Sequence, residues 1–179
     1  MDSGQNILRA LTLLKVLMTG HWTANLDTKL KAFVAHIDFT RAFDSVPLPK
    51  LLHKLQNAGI AGKVLSSIKS MLCNRLQQVK VGNVLSDFIA VTSGVPQGSV
   101  LGPVLFIFYI NDITKSATAP SMIKLYADDL KAYCTDKNDK EGTHFKSALE
   151  KITIWANTWQ LKISNEKSKW LMISNKKVN

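Results

Sequence analysis

The chain has 179 residues, of which 46% are hydrophobic and 20% are charged. This length and composition exclude a disordered, collagen-like or low-complexity protein and predict a single packed globular unit. Lys and Arg total 23 against 13 Asp and Glu, which gives a net charge of +10. The excess favours a polyanionic partner, because neutralising phosphates releases counterions, although charge alone also fits a basic protein without such a partner.

Cysteine content and hydropathy narrow the class of protein further. Cys73 and Cys134 form no CxxC pair, which excludes a disulfide scaffold and a structural zinc site. The longest apolar run, residues 100–110, is about half as long as a membrane span, and no signal peptide is evident. We therefore expect an intracellular protein, in the cytoplasm or nucleus, that does not enter a membrane.

The first half of the chain mixes helix and strand patterns. Apolar residues at helical spacing predict an amphipathic helix over residues 5–19. Alternating apolar and polar residues predict a strand over residues 33–39, with Asp38 on the face away from the core. The next predicted elements are helices over residues 50–57 and 63–73, and a hairpin of residues 76–81 and 84–91 around Gly82-Asn83.

The second half continues with a loop and then alternates helices with short strands. The predicted elements are a loop over residues 94–102, a buried helix over 103–115, strands over 122–127 and 130–134 joined by Asp128-Asp129, a helix over 140–159 and a strand over 170–173. This order predicts an α+β fold, with helices on one face of a mainly antiparallel sheet. The other face would then be free for substrate.

Three carboxylates fall at predicted strand ends: Asp38, Asp128 and Asp129. Mg²⁺ prefers oxygen ligands of this kind, and two metal ions bound between them stabilise the attacking and leaving oxygens of phosphoryl transfer. Turns also favour Asp, so the pair can equally be a turn dipeptide and Asp38 a surface residue. Residue type and spacing alone leave both interpretations open.

Three ordered segments carry a family resemblance: residues 38–44 (DFTRAFD), 93–103 (SGVPQGSVLGP) and 126–129 (YADD). Together they resemble the palm motifs of reverse transcriptases of non-LTR retrotransposons, of the jockey-like or LINE-like kind. The similarity implies a polymerase palm over about residues 31–174, preceded by a remnant of the fingers over about 1–30. It implies one partial domain, residues 1–179, without a thumb and originally part of a larger retrotransposon polyprotein.

The same resemblance implies a set of catalytic residues. Asp38, Asp128 and Asp129 would be catalytic and, with the carbonyl of Phe39, would hold two Mg²⁺ ions, with Mn²⁺ as the alternative ion. Lys167 resembles a lysine proposed to protonate the pyrophosphate leaving group as a general acid. An exposed lysine with no such role is the alternative, since most lysines are exposed.

The resemblance also implies a nucleotide-binding set. Backbone amides of Arg41 and Ala42 would meet the triphosphate, and Phe43 falls where the family places a ring that excludes ribonucleotides. Gln97 would lie against the incoming nucleotide, and Gly98 would allow close backbone approach. The alternative for Phe43 is a role in the core. The alternative for the glycines is a glycine-rich turn before a helix.

A few further residues attract attention without fitting a site. His36 shares a strand face with Asp38, but none of the histidines shows ligand spacing, so a structural or surface role is favoured. Trp155 and Trp159 are four residues apart, which favours core packing over base stacking. Arg75 can contact a phosphate of a nucleic acid or simply be solvated, and the sequence does not distinguish these.

The implied activity is RNA-directed DNA polymerisation, in which a primer 3′-OH attacks the α-phosphate of a deoxynucleoside triphosphate on an RNA template. A second hypothesis is a catalytically silent, truncated remnant that at most binds nucleic acid. A metal-dependent nuclease is a third, against which the segment around Gln97 argues, because hydrolysis has no evident need for a nucleotide-positioning residue.

Overall fold

The computed structural model describes residues 31–135 and 141–173. The predicted helix over residues 5–19, the proposed fingers remnant and the end of the chain after residue 173 lie outside the described residues. No helix in the described ranges is both long and apolar enough to cross a membrane.

The described elements agree closely with those predicted from the sequence. They are β1 (Ala32–Ile37), α1 (Leu48–Asn57), α2 (Gly62–Leu72), β2 (Arg75–Gln77), β3 (Lys80–Val81), β4 (Val84–Leu85), β5 (Ile89–Val91), α3 (Leu101–Ile110), a 3₁₀ helix (Asn111–Ser116), β6 (Ser121–Tyr126), β7 (Asp129–Thr135), α4 (Thr143–Trp159) and β8 (Lys169–Ile173).

A four-stranded antiparallel sheet in the order β6-β7-β1-β8 forms the centre of the fold. Alternate residues of the strands point to one face, where they meet the helices in a single apolar core. Ile37 and its partner Leu130 face this core, together with Leu51 of α1 and Phe106 of α3. We call this the covered face and the opposite one the open face. The predicted α+β class, with helices on one face of the sheet, is confirmed.

The hairpin between α2 and α3 forms as two short ladders, β2 with β5 and β3 with β4. Gly82-Asn83 turns the chain between β3 and β4, as predicted. Most of its large apolar side chains are exposed, including Phe88 at 66%. The hairpin therefore contributes little to the core.

Several element boundaries differ from the prediction by a few residues: the first strand ends at Ile37, and the helices expected from residues 50, 103 and 140 begin at Leu48, Leu101 and Thr143. Two further differences change the type of an element or a connection. The helix expected over residues 103–115 ends at Ile110 and continues as a 3₁₀ turn. The connection between β6 and β7 is not Asp128-Asp129, as predicted. Asp129 is instead the first residue of β7, where it pairs with Tyr126. The turn consists of Ala127 and Asp128, and Ala127 adopts a left-handed conformation with φ of 52°. The register of the flanking strands thus takes precedence over the turn preference of Asp129.

A buried lysine holds α1 against the helices that follow. Lys54 Nζ donates to the carbonyl of Tyr109 at 2.6 Å and to Asp112, and it lies 3.8 Å from the ring centroid of Trp159. Trp155 Nε1 donates to the same Asp112 carboxylate at 3.1 Å. Burial lowers the pKa of Lys54, while the hydrogen bond and charge of Asp112 oppose that shift. Both tryptophans pack inside, as their spacing predicts, but nothing in the sequence indicated a lysine between them.

Candidate active site

The central strands bring two of the predicted carboxylates to the same end of the sheet. Asp38 follows Ile37, Asp129 precedes Leu130, and Ile37 and Leu130 are paired and face the core. Because side chains alternate along a strand, Asp38 and Asp129 both belong to the open face. Asp128 lies beside them in the turn between β6 and β7.

Each of the two carboxylates has a basic side chain beside it. His36 Nε2 pairs with Asp129 Oδ1, and Lys167 Nζ lies 3.9 Å from Asp38 Oδ1. Asp129 Oδ1 is buried, and His36 is its only polar partner among the residues that the structure describes. Sequence reasoning gave His36 a structural or surface role and missed this pairing, although its shared strand face with Asp38 was the available signal.

Backbone contacts bring the segment before β8 against the end of β1. Ser164 N–H donates to the Asp38 carbonyl and Thr40 N–H to the Lys162 carbonyl, both at 2.8 Å. Asp38 N–H donates to Ser168 Oγ at 3.1 Å. These bonds hold Lys167 beside Asp38 even though its side chain is 72% exposed. The lysine is both solvated and adjacent to a carboxylate, so the two interpretations of it are compatible.

The Phe39 carbonyl keeps its acceptor capacity at this junction. Phe39 and Ile163 form an isolated antiparallel bridge whose two hydrogen bonds use the Asp38 carbonyl and the Thr40 N–H. In such a bridge the central residue directs its own carbonyl away from the partner strand. Phe39 O therefore points away from the residues around Ile163.

A second group of residues forms around Asp44, which closes the first motif. Gln97 Nε2 donates to Asp44 Oδ1 at 2.6 Å, and Ser93 Oγ donates to the Asp44 carbonyl at 2.8 Å. A Cβ on Gly94 would lie 2.7 Å from Asp44 Cα, and the φ of Gly94 is +83°, so only glycine fits there. The first two motifs are thus in direct contact. The sequence resemblance assigns Asp44 no role, although Asp44 is the last residue of the first motif.

Three predicted nucleotide-site residues occupy different surroundings. Arg41, with φ of 48°, and Gln97 line one cleft of about 900 Å³ that also includes Asp44. Phe43 is partly buried and stacks on Phe106, with ring centroids 4.1 Å apart. Its core role is therefore real. The lining of this cleft does not include the three predicted catalytic carboxylates or Ala42 or Gly98.

Arg75 has a structural role that the sequence did not suggest. Its Nε donates to the Leu72 carbonyl at 2.9 Å, and Nη2 donates to the carbonyls of Ser93, at 3.3 Å, and Gly94. The guanidinium thus joins the end of α2 and the start of the hairpin to the loop that carries Gln97. Neither of the interpretations left open by the sequence describes it.

The donor chemistry at the sheet end suits a hard divalent cation. Carboxylate oxygens, including the buried Asp129 Oδ1, and a backbone carbonyl such as that of Phe39 are the kinds of ligand that Mg²⁺ takes. Within residues 31–135 and 141–173, however, no three His, Cys, Asp or Glu side chains are grouped closely enough to bind one ion together. The residues fit the metal in chemistry, while two of the carboxylates are engaged by His36 and Lys167.

Comparison with known proteins finds one family model and several relatives, all of them connected with reverse transcription or mobile elements. Residues 5–179 match the family described as reverse transcriptase (RNA-dependent DNA polymerase). The chain is 31% identical over 149 residues to the RNA-directed DNA polymerase from mobile element jockey of Drosophila melanogaster, covering 79% of this chain and 16% of that protein. It is 29% identical over 131 residues to the Pol polyprotein of type-1 retrotransposable element R2 of Popillia japonica, covering 66% and 22%.

Solved structures with a similar fold include telomerases. The apo telomerase of Candida tropicalis, truncated from its C-terminal domain, superposes with a TM-score of 0.64 at 16% identity, covering 99% of this chain and 36% of that one. The Candida tropicalis telomerase in complex with a TWJ fragment of telomeric RNA gives 0.64 at 14% identity, covering 95% and 29%. At these identities the likeness shows the fold alone. The chain spans only 16% of the length of its jockey relative.

Proposed function

Because this chain belongs to the reverse transcriptase family, we propose that it is the palm of an RNA-directed DNA polymerase of a non-LTR retrotransposon. The observation that carries the proposal is the convergence of Asp38, Asp129 and Lys167 at one end of the sheet, on the open face. The palm would comprise about residues 31–174. Its substrates would be an RNA template, a DNA primer and deoxynucleoside triphosphates.

The reaction joins the primer to the nucleotide. The primer 3′-hydroxyl gives up its proton to solvent as its oxygen attacks the α-phosphorus, a new phosphodiester bond forms, and the bond to the bridging oxygen of pyrophosphate breaks. Little covalent chemistry falls to the protein, so catalysis rests on positioning and on neutralising negative charge. Asp38, Phe39, Asp128 and Asp129 would hold two Mg²⁺ ions, or Mn²⁺, which when bound neutralise charge on the attacking and leaving oxygens.

Lys167 is suited to act on the leaving group. Its ammonium is held within 3.9 Å of Asp38 by the backbone contacts of residues 162–168. An ammonium group at that distance from Asp38 can transfer its proton to pyrophosphate as the bond to it breaks, which is general acid catalysis. The exposure of its side chain leaves it free to reorient toward the substrate.

Nucleotide selection would depend on the group around Asp44. Gln97 is fixed by Asp44 and, together with Arg41 and Gly98, would position the incoming nucleotide. Amides of Arg41 and Ala42 would meet its phosphates. Stacking on Phe106 fixes the ring of Phe43, and a ring that cannot move aside is a more effective barrier to a 2′-hydroxyl.

Primer extension on an RNA template with Mg²⁺ or Mn²⁺ tests the proposal. The parent chain should extend the primer, and Asp128→Asn should lose nearly all activity, because a carboxylate is replaced by a neutral amide. Retained extension in Asp128→Asn would exclude the metal assignment. A DNA template in parallel reports template preference.

A silent remnant that only binds nucleic acid is the second candidate. It is favoured by the pairing of Asp129 with His36 and of Asp38 with Lys167, and by the lack of a three-ligand group among the described residues. Absent extension by a folded parent chain that still binds RNA would select this candidate. A cooperative thermal transition identical in the parent and Asp128→Asn shows that both are folded.

A further inference from the structure

One cross-strand row on the open face is entirely basic. Lys124 of β6 pairs with Lys131 of β7, Lys131 pairs with His36 of β1, and His36 pairs with Lys169 of β8. Four basic side chains thus occupy one register position across all four strands. We call these residues, Lys124, Lys131, His36 and Lys169, the basic row.

Such a row is unfavourable for the folded chain by itself. Directly opposed side chains on neighbouring antiparallel strands lie about 4.5–5.5 Å apart at Cβ, and like charges there are destabilising. Among the described residues, only His36 of the row has an acidic partner, Asp129, whereas no carboxylate lies within ion-pair distance of the three lysines. Within residues 31–135 and 141–173, the three lysines, of which Lys131 is half-buried, therefore have no carboxylate to compensate their charge.

The basic row is next to the proposed catalytic carboxylates, Asp38 and Asp129, along the strands of the sheet. His36 lies two positions from Asp38, and Lys131 lies two positions from Asp129. Two residues along a strand span about 6.6 Å and return to the same face. The row therefore runs across the sheet beside the carboxylates, on the surface that substrate must approach.

We propose that Lys124, Lys131 and Lys169 bind the phosphodiester backbone of the primer strand just upstream of its 3′ end. This inference rests on the proposed function, which requires the primer 3′-hydroxyl to lie at Asp38 and Asp129. The phosphates preceding that hydroxyl are those within one or two nucleotides of the carboxylates, whereas template phosphates lie across the duplex. Lysine ammonium groups bind phosphates without reading sequence, as a polymerase that extends any primer requires.

The salt dependence of binding tests the row without any catalysis. We would measure the affinity of a fluorescent DNA primer annealed to RNA, in EDTA, over a range of salt concentrations. The row variant K124Q/K131Q/K169Q should lower the slope of log Kd against log salt by about 2, since each phosphate contact contributes roughly 0.7–0.9. The control K63Q/K69Q/K146Q removes the same charge from exposed helix lysines and should leave the slope unchanged. Equal losses in both variants, or none in the row variant, would overturn the proposal.

Neutral methylphosphonate linkages then identify the strand. Replacing the last three phosphates of the primer should weaken binding of the parent chain but not of the row variant, because the contacts are already absent there. The same replacement in the template strand should weaken both proteins equally. A row variant that is insensitive only to the template replacement would show that the row binds the template, which contradicts the proposal.

Two controls separate this inference from the proposed function. The row variant should unfold at a temperature no lower than the parent, since like charges are removed from opposed positions, so weaker binding would not reflect misfolding. If the parent fails to extend a primer yet shows the predicted slopes and strand dependence, the polymerase proposal fails and the row stands as a backbone-binding site. If extension succeeds and the row variant binds like the parent, only the row inference fails.

Discussion

The two faces of the central sheet come from the same strands but serve different purposes. On the covered face, Leu130 is fully buried and belongs to one continuous apolar core with the helices. On the open face, Val34 and Tyr133 are the only buried residues of a second, small cluster among the described residues, and the basic row borders it on one side. Apolar burial is concentrated on one face of the sheet, which leaves the other face able to carry charges that destabilise the fold.

A matched pair of leucines provides the largest test of this comparison. Leu130→Ala removes a fully buried side chain from the covered face, and we expect a loss of about 3–5 kcal/mol in the free energy of unfolding. Leu171→Ala removes a side chain that is 52% exposed on the open face, at the edge strand, and should cost less than about 1 kcal/mol. Urea denaturation of both variants measures the difference. Similar losses would mean that the open face is also part of the core.

Two glycines test the contact between the first two motifs. Gly94→Ala places a Cβ 2.7 Å from the Asp44 backbone at a positive φ, so we expect a loss of about 2 kcal/mol or more. Gly98→Ala meets no atom within 4 Å, and its φ is +77°. That variant carries only the conformational penalty of about 1–2 kcal/mol. Thermal unfolding of the two proteins compares them, and equal destabilisation would remove the close packing of Gly94 on Asp44 as the cause.

The buried Lys54 predicts how the stability of the covered side of the molecule depends on pH. Burial lowers the pKa of Lys54 in the folded chain below its ordinary value of 10.5. Between these two pKa values the unfolded chain binds more protons at Lys54 than the folded chain does. The contribution of Lys54 to the free energy of unfolding therefore rises with pH in this range. Burial and the charge of Asp112 raise the pKa of Tyr109, so its contribution falls above pH 10, where the unfolded tyrosine ionises. The free energy of unfolding of the parent, relative to that of Lys54→Met, should therefore increase as pH rises toward 10.5. Parallel curves would show that Lys54 is not desolvated.

Most of the fold follows from local patterns. The alternation in residues 33–39 and the helical spacing in residues 143–159 reflect burial on one side of each element, which sequence records directly. The exceptions arise from tertiary contacts. Strand pairing draws Asp129 out of the turn, because its partner Tyr126 extends the ladder by one residue. Such register effects depend on both strands, and neither strand alone specifies them.

Only part of the candidate site could be predicted from the sequence. The resemblance identified Asp38, Asp128 and Asp129, and strand alternation placed Asp38 on the face away from the core. The pairings of His36 with Asp129 and of Asp44 with Gln97 join residues 93 and 53 positions apart. No local pattern encodes contacts at such separations. The assigned roles of the site residues remain predictions until variants are measured.

The contacts of Arg75 have a mechanical consequence. One planar guanidinium connects the end of α2, the base of the exposed hairpin and the carbonyls of Ser93 and Gly94. Gly94 in turn is fixed to Val46 through its N–H at 2.8 Å. The base of the hairpin and the start of the loop that carries Gln97 are therefore anchored to the same guanidinium.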